Sequence, residues 1–220
     1  MKKRFRQEGL DHFSDIQALE LLLFYGIPRV DTNPIAHALL DRFGSLSQVL
    51  EASPEELMKV PGVGENAALL LTLIPQMGRF YMVDRSSRVT ILQTLEQCAD
   101  FLVPHFFGRK VETVFILCLD AKCKLLCCKE LGEGGPNSTG VSIRKIVETA
   151  IGVNAATVVL AHNHPSGLAV PSAEDIQTTR RIAHALQAVE ITLADHIIVA
   201  DGDYVSIAMS DDRFRDCLLI

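Results

Sequence analysis

The sequence predicts a mixed β-sheet with flanking helices, an α/β or α+β fold, preceded by a small all-helical domain. Apolar residues with helical spacing, interrupted by Pro and Gly, occupy the first part of the chain. Short β-branched segments then alternate with helical ones, which is typical of a sheet covered by helices. Residues 80–90 lose this periodicity and gain charge, so we predict a linker there. The predicted domains are residues 1–84, all helical, and residues 89–220.

The predicted helices of the first domain have recognisable ends. An apolar helix over residues 15–25 is stopped by Gly26-Ile27-Pro28. A second helix opens at Asp31-Thr32-Asn33-Pro34, which places Pro in the first turn, where its missing N–H is tolerated. Ser45 and Ser53 are expected to cap the two short helices that follow.

A Gly-containing turn, Pro61-Gly62-Val63-Gly64, follows these helices and resembles the turn of a helix-hairpin-helix module, which is often found on DNA. Such glycines let a backbone approach a phosphate, and the next helix offers free N–H groups. The same turn can also merely pack two helices together. Residues 1–80 contain eight Lys and Arg against ten acidic residues, and Glu65 follows the turn, which weakens the case for phosphate binding. DNA therefore stays an alternative partner of this domain.

The second domain is predicted to alternate helices and strands. Its first helix is amphipathic, and Pro104 is expected to end or kink it. Helices are expected at residues 94–107, at 142–152 and from 172 towards 186, strands at 111–119, 124–130, 157–161, 191–199 and 204–208, and a flexible loop at 132–136.

Two histidines follow the predicted strand at residues 157–161, whose β-branched and apolar residues indicate a buried position. Side chains at alternate positions of a strand leave from one face. His162 and His164 are therefore expected to point together off the end of the strand, and Asn163 is expected to point away.

A carboxylate can join the two histidines. Pro165-Ser166-Gly167 breaks the strand, and Ser172 is expected to cap a helix whose first turn contains Asp175. The intervening loop can bring Asp175 back to the imidazoles. Two His and one carboxylate, with water in the fourth position, form the usual ligand set of an open catalytic zinc site. Paired histidines also occur in structural positions, so the pair alone leaves both interpretations open.

The motif His-x-His-Pro, with Ser and Asp downstream at residues 172 and 175, is similar to the JAMM metallopeptidase signature of the MPN fold. A longer set of motifs resembles the RadC-like proteins more narrowly. It comprises residues 162–167, residues 171–175 and Asp195-His196-Ile197-Ile198-Val199. The resemblance implies an MPN-type sheet, hydrolysis of a peptide or isopeptide bond, and one Zn²⁺ per chain bound by the two His and the Asp. It carries only a weak link to DNA repair.

A zinc hydrolase also needs a base that does not bind the metal, to take a proton from water whose pKa the metal lowers towards about 7. In JAMM enzymes this base is a Glu on an earlier strand, followed by an apolar run, and Glu112 before residues 113–118 fits that position. Glu130 and Glu133 are later candidates, and Glu112 could equally be an ordinary solvated residue. In the family pattern the Ser172 hydroxyl helps to stabilise the developing oxyanion, in addition to capping its helix.

Two further polar residues have other interpretations. His196 could hold a metal-binding residue in place, or it could be a structural histidine. Ser166 lacks the Gly-x-Ser-x-Gly turn of a serine hydrolase, which excludes that mechanism. A zinc deaminase is excluded as well, because it needs His-x-Glu and Pro-Cys-x-x-Cys.

Composition limits the remaining classes. The chain has 220 residues, of which 48% are hydrophobic, enough for one large core or two small ones. Its formal net charge of −6 gives no support for a polyanionic partner. A secretory signal and a run of roughly 18 apolar residues are both absent, and the six Cys form no Cys-x-x-Cys pair. We therefore expect a reduced, cytoplasmic protein without a membrane span, whose oligomeric state is not predicted.

Three functions remain open from the sequence. The first is a zinc-dependent metallopeptidase or isopeptidase in which His162, His164 and Asp175 bind zinc while Glu112 activates water. The second is a DNA-binding or DNA-repair protein whose helical domain brings the metal domain to nucleic acid. The third is a nonenzymatic scaffold that keeps the metal for stability. The open ligand set and Ser172 favour the first, because structural zinc sites are usually closed by four protein ligands.

Overall fold

The computed structural model describes residues 1–86, 91–134 and 141–210. The chain divides into two compact units, an N-terminal unit at Met1–Gly78 and a C-terminal unit at Arg79–Ile220. The domain bounds at residues 84 and 89 stay a prediction.

The N-terminal unit is helical. It contains α1 (Lys2–Glu8), α2 (Asp15–Gly26), α3 (Asn33–Phe43), α4 (Leu46–Glu51), α5 (Pro54–Leu57) and the first part of α6 (Glu65–Ser86). The side chains of Ser14, Ser45 and Ser53 each accept a hydrogen bond from the backbone N–H three residues further on, so each starts a helix. Apolar residues of α2 to α6 meet in one core, in which Leu19 and Leu39 are fully buried.

Helix α6 is longer than the sequence predicts. It continues to Ser86, so the linker predicted over residues 80–90 is wrong for residues 80–86, while residues 87–90 lie outside the described residues. A segment without a clear apolar period can be a helix as well as a linker, and this explains the error. The Arg85 guanidinium lies 5.6 Å from the centre of the Tyr81 ring, a helical contact between residues four apart.

The turn between α5 and α6 contains a glycine that packing requires. Gly62 has a φ of +91°, and a Cβ there would lie 2.8 Å from Ile35 Cδ1 of α3. A Cβ at Gly64 would meet no atom within 4 Å. The contact with α3 therefore accounts for Gly62 without a phosphate, and DNA binding by this turn stays a prediction.

The C-terminal unit contains a five-stranded mixed sheet. After the end of α6 its elements are α7 (Leu95–Leu102), a 3₁₀ turn (Val103–Phe106), β1 (Thr113–Leu119), β2 (Leu125–Glu133), α8 (Ile143–Gly152), β3 (Thr157–Asn163), α9 (Ala173–Gln187), β4 (Thr192–Ala200), β5 (Asp203–Ser206) and α10 (Ile207–Ser210). The strand order is β2-β1-β3-β4-β5, with β3 and β4 parallel and the other neighbours antiparallel. The predicted mixed sheet with flanking helices is confirmed.

Both faces of the central strands are covered. Val114 and Ile116 of β1 belong to an apolar core that includes residues of α8 and α9. Phe115 and Leu117 belong to a second core that includes residues of α7. A strand buried on both faces has a continuous apolar run, as residues 113–119 do.

Some strands and helices end at other residues than the sequence predicts. β2 continues to Glu133, so part of the expected loop is strand, and residues 135–136 lie outside the described residues. Ala208 belongs to α10 and not to the last strand. Pro104 does end the preceding α-helix, because the chain continues as a 3₁₀ turn. None of the helices in the described ranges combines the length and the apolarity that a membrane crossing requires.

Candidate metal centre

The two predicted metal-binding histidines lie at the end of β3. His162 is fully buried within the strand, and His164 follows it with a side chain that is 18% exposed. The backbone N–H of His164 donates to the carbonyl of Val199 in β4 at 2.8 Å, which fixes this residue although it lies beyond β3. The two Nε2 atoms are 3.0 Å apart, so the imidazoles converge on one point.

Asp175 reaches the same point from the first turn of α9. Ser172 caps this helix as predicted: its N–H and hydroxyl donate to Asp175 Oδ2 at 2.8 and 2.6 Å, and Asp175 N–H donates to Ser172 Oγ at 3.0 Å. Asp175 Oδ1 lies 3.4 Å from His162 Nε2, and Oδ2 lies 3.5 Å from His164 Nε2. The cap thus holds the carboxylate beside both imidazoles.

These separations can be compared with the edges of a metal coordination shell. Two ligand atoms that are each about 2.0–2.1 Å from a tetrahedral zinc ion lie roughly 3.3–3.4 Å apart. The three observed separations, 3.0, 3.4 and 3.5 Å, are close to that value. The two Asp175 separations involve different carboxylate oxygens, Oδ1 with His162 and Oδ2 with His164, so the carboxylate faces both imidazoles.

A buried hydrogen-bond chain sets the tautomer of the neutral His162 imidazole. Thr179 Oγ1 lies 2.6 Å from the Asp175 carbonyl and 2.6 Å from His196 Nδ1. A carbonyl only accepts, so the hydroxyl donates to it and accepts from His196 Nδ1–H. Burial lowers the pKa of His196 well below its ordinary value, so its ring is neutral and its Nε2 is an acceptor. That atom accepts from His162 Nδ1 at 2.8 Å, and in the neutral His162 imidazole this leaves the Nε2 lone pair facing His164 and Asp175.

His164 is oriented in the same sense by a backbone carbonyl. Its Nδ1 donates to the carbonyl of Leu168 at 3.2 Å, so in the neutral imidazole its Nε2 also presents a lone pair. Two lone pairs 3.0 Å apart, with a carboxylate beside them, repel one another unless a cation lies between them. Metal-binding imidazoles are commonly held in this way through their second nitrogen. The residues of this site therefore fit a metal ion.

The Asp175 carboxylate is kept in the form that binds metals. Burial by itself would raise the pKa of Asp175, but the two hydrogen bonds that Ser172 donates to the carboxylate favour its charged form, and the pKa of Asp175 lies well below its ordinary range. Metal binding needs a deprotonated carboxylate, and this environment supplies one at neutral pH.

Glu112 approaches the site from β1. It precedes Val114 by two residues, and Val114 is the β1 partner of His162, so the Glu112 side chain leaves from the sheet face of His162. Glu112 Oε1 lies 3.6 Å from His162 Nε2, and one ligand atom each of Glu112, His162 and His164 lie within 4.8 Å of one another. The Glu112 carboxylate is close enough to bind the metal itself or to act beside it. Its role as a base stays a prediction.

The alternative acids, Glu130 and Glu133, lie on β2. Their β1 partners are Phe115 and Thr113, which leave from the sheet face opposite that of Val114. Glu130 also pairs with Arg109 at 2.7 Å. The register of the sheet therefore favours Glu112 over both alternatives.

The sequence analysis identified Ser172 but missed Thr179. The single hydroxyl proton of Ser172 is donated to Asp175, so the structure describes Ser172 as a cap, and its contact with an oxyanion stays a prediction. Thr179 is not identified by the sequence analysis. Its position four residues after Asp175, on the same side of α9, is the signal that could have found it.

Comparisons with known proteins cover most of the chain. The family model described as RadC-like JAB domain matches residues 92–212, and the one described as UPF0758 N-terminal matches residues 2–69. A UPF0758 protein of Paraburkholderia xenovorans is 33% identical over 207 residues, which are 94% of this chain and 82% of that protein. A UPF0758 protein of Rhodobacter capsulatus is 34% identical over 206 residues, 94% of this chain and 96% of that protein. The UPF0758 protein BPP1850 of Bordetella parapertussis is 36% identical over 207 residues, 94% and 92% of the two chains.

Proposed function

Because this chain belongs to the RadC-like JAB domain family, with the UPF0758 N-terminal region before that domain, we propose that it is a zinc-dependent hydrolase of the metallopeptidase or isopeptidase type. The JAB domain is related to the JAMM-type metal-dependent hydrolases. In this proposal His162, His164 and Asp175 bind one zinc ion per chain, and Glu112 is the general base.

One observation carries the proposal, the convergence of His162 Nε2 and His164 Nε2 beside the Asp175 carboxylate. Hydrogen bonds at the Nδ1 atom of each imidazole hold both rings in this orientation. A cation bound between the two Nε2 atoms and the carboxylate would stabilise the arrangement. The site is also accessible, because the side chains of His164 and Glu112 are 18% and 34% exposed. Three protein ligands and an accessible fourth position are typical of catalytic zinc.

The chemistry follows from the positions of these groups. Zinc, when bound, supplies Lewis acidity that polarises a carbonyl and lowers the pKa of water towards about 7. The Glu112 carboxylate lies 3.6 Å from His162 Nε2, within reach of a water molecule beside the metal ligands. Glu112 takes a proton from that water while the water oxygen forms a bond to the amide carbon. The C–N bond then breaks, and Glu112 returns the proton to the leaving amine.

The test compares one preparation in three states. Purified protein is analysed for metal and then assayed on unstructured peptides, isopeptide-linked conjugates and DNA, before chelation, after chelation and after return of Zn²⁺. We expect about one zinc per chain, with hydrolysis of an amide substrate that is lost and regained with the metal. The double variant His162→Ala, His164→Ala should lose most of the zinc.

A matched histidine outside the site serves as the control. His184→Ala changes an exposed residue of α9 in the same unit and should retain both metal and activity. Hydrolysis that persists after chelation, or full zinc content in the double variant, contradicts the proposal. Zinc-dependent cleavage of DNA instead of amides would favour the DNA-repair alternative.

A further inference from the structure

We infer that Asn163 is a positioning residue for Glu112, because its side-chain amide binds the main chain on both sides of this glutamate. The inference rests on the proposed function in which Glu112 is the general base. Asn163 lies between His162 and His164 in sequence, so one end of β3 positions both the metal-binding face and the base.

The contacts of Asn163 enclose Glu112. Asn163 is buried, with 5% of its surface exposed. Its Oδ1 accepts from the backbone N–H of Thr113 at 2.8 Å, and its Nδ2 donates to the backbone carbonyl of Val111 at 3.2 Å. Val111 and Thr113 are the two chain neighbours of Glu112. A single side chain therefore holds the backbone immediately before and after the predicted base.

The register of the sheet explains why a side chain does this. The last backbone pair between β1 and β3 joins Val114 to His162, so Asn163 would be the next residue opposite Thr113. The ladder has ended there, and the Asn163 amide supplies the hydrogen bonds that a strand backbone would otherwise make. On the other side, the Glu112 carbonyl accepts from Gly134 N–H at 2.7 Å. Glu112 is thus fixed from both neighbouring strands.

The position needs a carboxamide in particular. Thr113 N–H requires an acceptor and the Val111 carbonyl requires a donor, so the side chain must offer one of each. An aspartate has almost the same shape and could still accept from Thr113. It would, however, place a second acceptor oxygen against the Val111 carbonyl. Asn163→Asp therefore breaks one of the two contacts with little change in volume.

Three variants of the full chain test the inference. Asn163→Asp and Asn163→Ala are compared with Asn66→Ala, which changes an exposed asparagine of α6. The measurements are zinc content, unfolding temperature, amide exchange of Thr113, and kcat and KM on the amide substrate found for the parent. In Asn163→Ala we expect the Thr113 amide to exchange roughly 10- to 100-fold faster because its buried acceptor is lost. Asn66→Ala should behave as the parent in every measurement.

The rate constants separate positioning from folding. A small displacement of a catalytic group costs up to about 100-fold in rate, so we expect kcat to fall by roughly 10- to 100-fold in both Asn163 variants while KM and zinc content stay near the parent values. In the background of Glu112→Gln, Asn163→Ala should cost little further rate, because it acts through Glu112. An equal loss in both backgrounds overturns the inference, and so does unchanged Thr113 exchange.

The two proposals fail in different ways. If the parent cleaves no amide substrate with zinc bound, the proposed hydrolase function fails, and amide exchange alone then decides whether Asn163 holds the backbone around Glu112. If Asn163→Ala does not fold, kcat, KM and zinc content of Asn163→Asp test the inference instead. Asn163→Asp keeps the acceptor for Thr113 N–H and loses the donor to the Val111 carbonyl, so a parent-like kcat in this variant would overturn the positioning role.

Discussion

His196 Nε2 lies 2.8 Å from His162 Nδ1, and this buried contact decides which nitrogen of His162 is free to bind a metal. The contact is the middle of a chain that begins at the Asp175 carbonyl, which can only accept, and passes through the Thr179 hydroxyl. Each proton in the chain is placed by the group before it. Thr179 and His196, which are not among the proposed ligands, therefore set the tautomer of His162, which is.

This relationship predicts a loss of metal affinity in Thr179→Val. Without the hydroxyl, His196 can move its proton to Nε2 and then donate to His162, whose own proton would shift to the metal-facing Nε2. Changes to such outer partners typically cost about 10–100-fold in metal affinity, and we expect a loss of that size. Competition with a chromophoric chelator measures it. Thr149→Val, a helical threonine of α8 that also donates to the carbonyl four residues earlier, should bind zinc as the parent does.

Substitutions at His196 provide the complementary test. His196→Gln retains an acceptor that can face His162, whereas His196→Phe retains none. Zinc affinity should therefore decrease more in the Phe variant than in the Gln variant. If both variants and Thr179→Val bind zinc as tightly as the parent, the chain does not set the tautomer.

The metal-free protein should lose stability as the pH falls. Burial holds the pKa of His196 well below its ordinary value of about 6.5, so below that pH the unfolded chain binds a proton that the folded chain does not. Stability from this group is complete above about pH 6.5 and decreases below it, with a slope of at most about 1.4 kcal/mol per pH unit for one proton. Urea unfolding at pH 7.5 and 5.5 measures the difference, which should be smaller in His196→Gln. Equal pH dependence in the two proteins would contradict the assignment.

Local rules were sufficient for the parts of the site that lie close together in sequence. Strand alternation predicted that His162 and His164 converge, and capping rules predicted that Ser172 opens the helix of Asp175. The resemblance to RadC-like proteins is confirmed by the family match over residues 92–212. These features depend on one strand end and one helix start, where the physical signals are strong.

Contacts between strands could not be predicted in the same way. His196 is placed beside His162 by the β3–β4 register, in which Leu160 pairs with His196, and a single sequence does not specify that register. Alternation predicted that Asn163 points away from the histidines, but its contacts around Glu112 depend on where the β1–β3 ladder ends. The linker prediction failed because the exposed and half-buried side chains of residues 80–86 show no clear helical period, although the helix continues through them.

The division of the chain predicts how fragments behave. The sequence predicts a second domain at residues 89–220, whereas the structure assigns residues from Arg79 onward to the C-terminal unit. Arg79 Nη1 donates to the carbonyl of Phe107 at 3.3 Å within that unit. We expect a fragment of residues 79–220 to fold, to bind zinc, and to unfold at a higher temperature than a fragment of residues 89–220. Circular dichroism and metal analysis provide the test, and a fragment 79–220 without structure or metal would contradict it.

The role of Glu112 is the prediction that most directly separates a base from a ligand. Glu112→Gln keeps the shape of the side chain and removes the proton acceptor. If Glu112 is the base, zinc content stays near one per chain while hydrolysis falls by about 10²–10⁴-fold, the usual value of general-base catalysis. If Glu112 is a metal ligand, as its distance of 3.6 Å from His162 Nε2 would also permit, the same substitution lowers zinc content together with the rate.

Glu130→Gln and Glu133→Gln should lower the rate much less, because their β1 partners leave from the opposite sheet face. An inactive Glu130→Gln beside a fully active Glu112→Gln would move the base to β2, and activity in all three variants on a zinc-dependent substrate would exclude the JAMM mechanism for this chain.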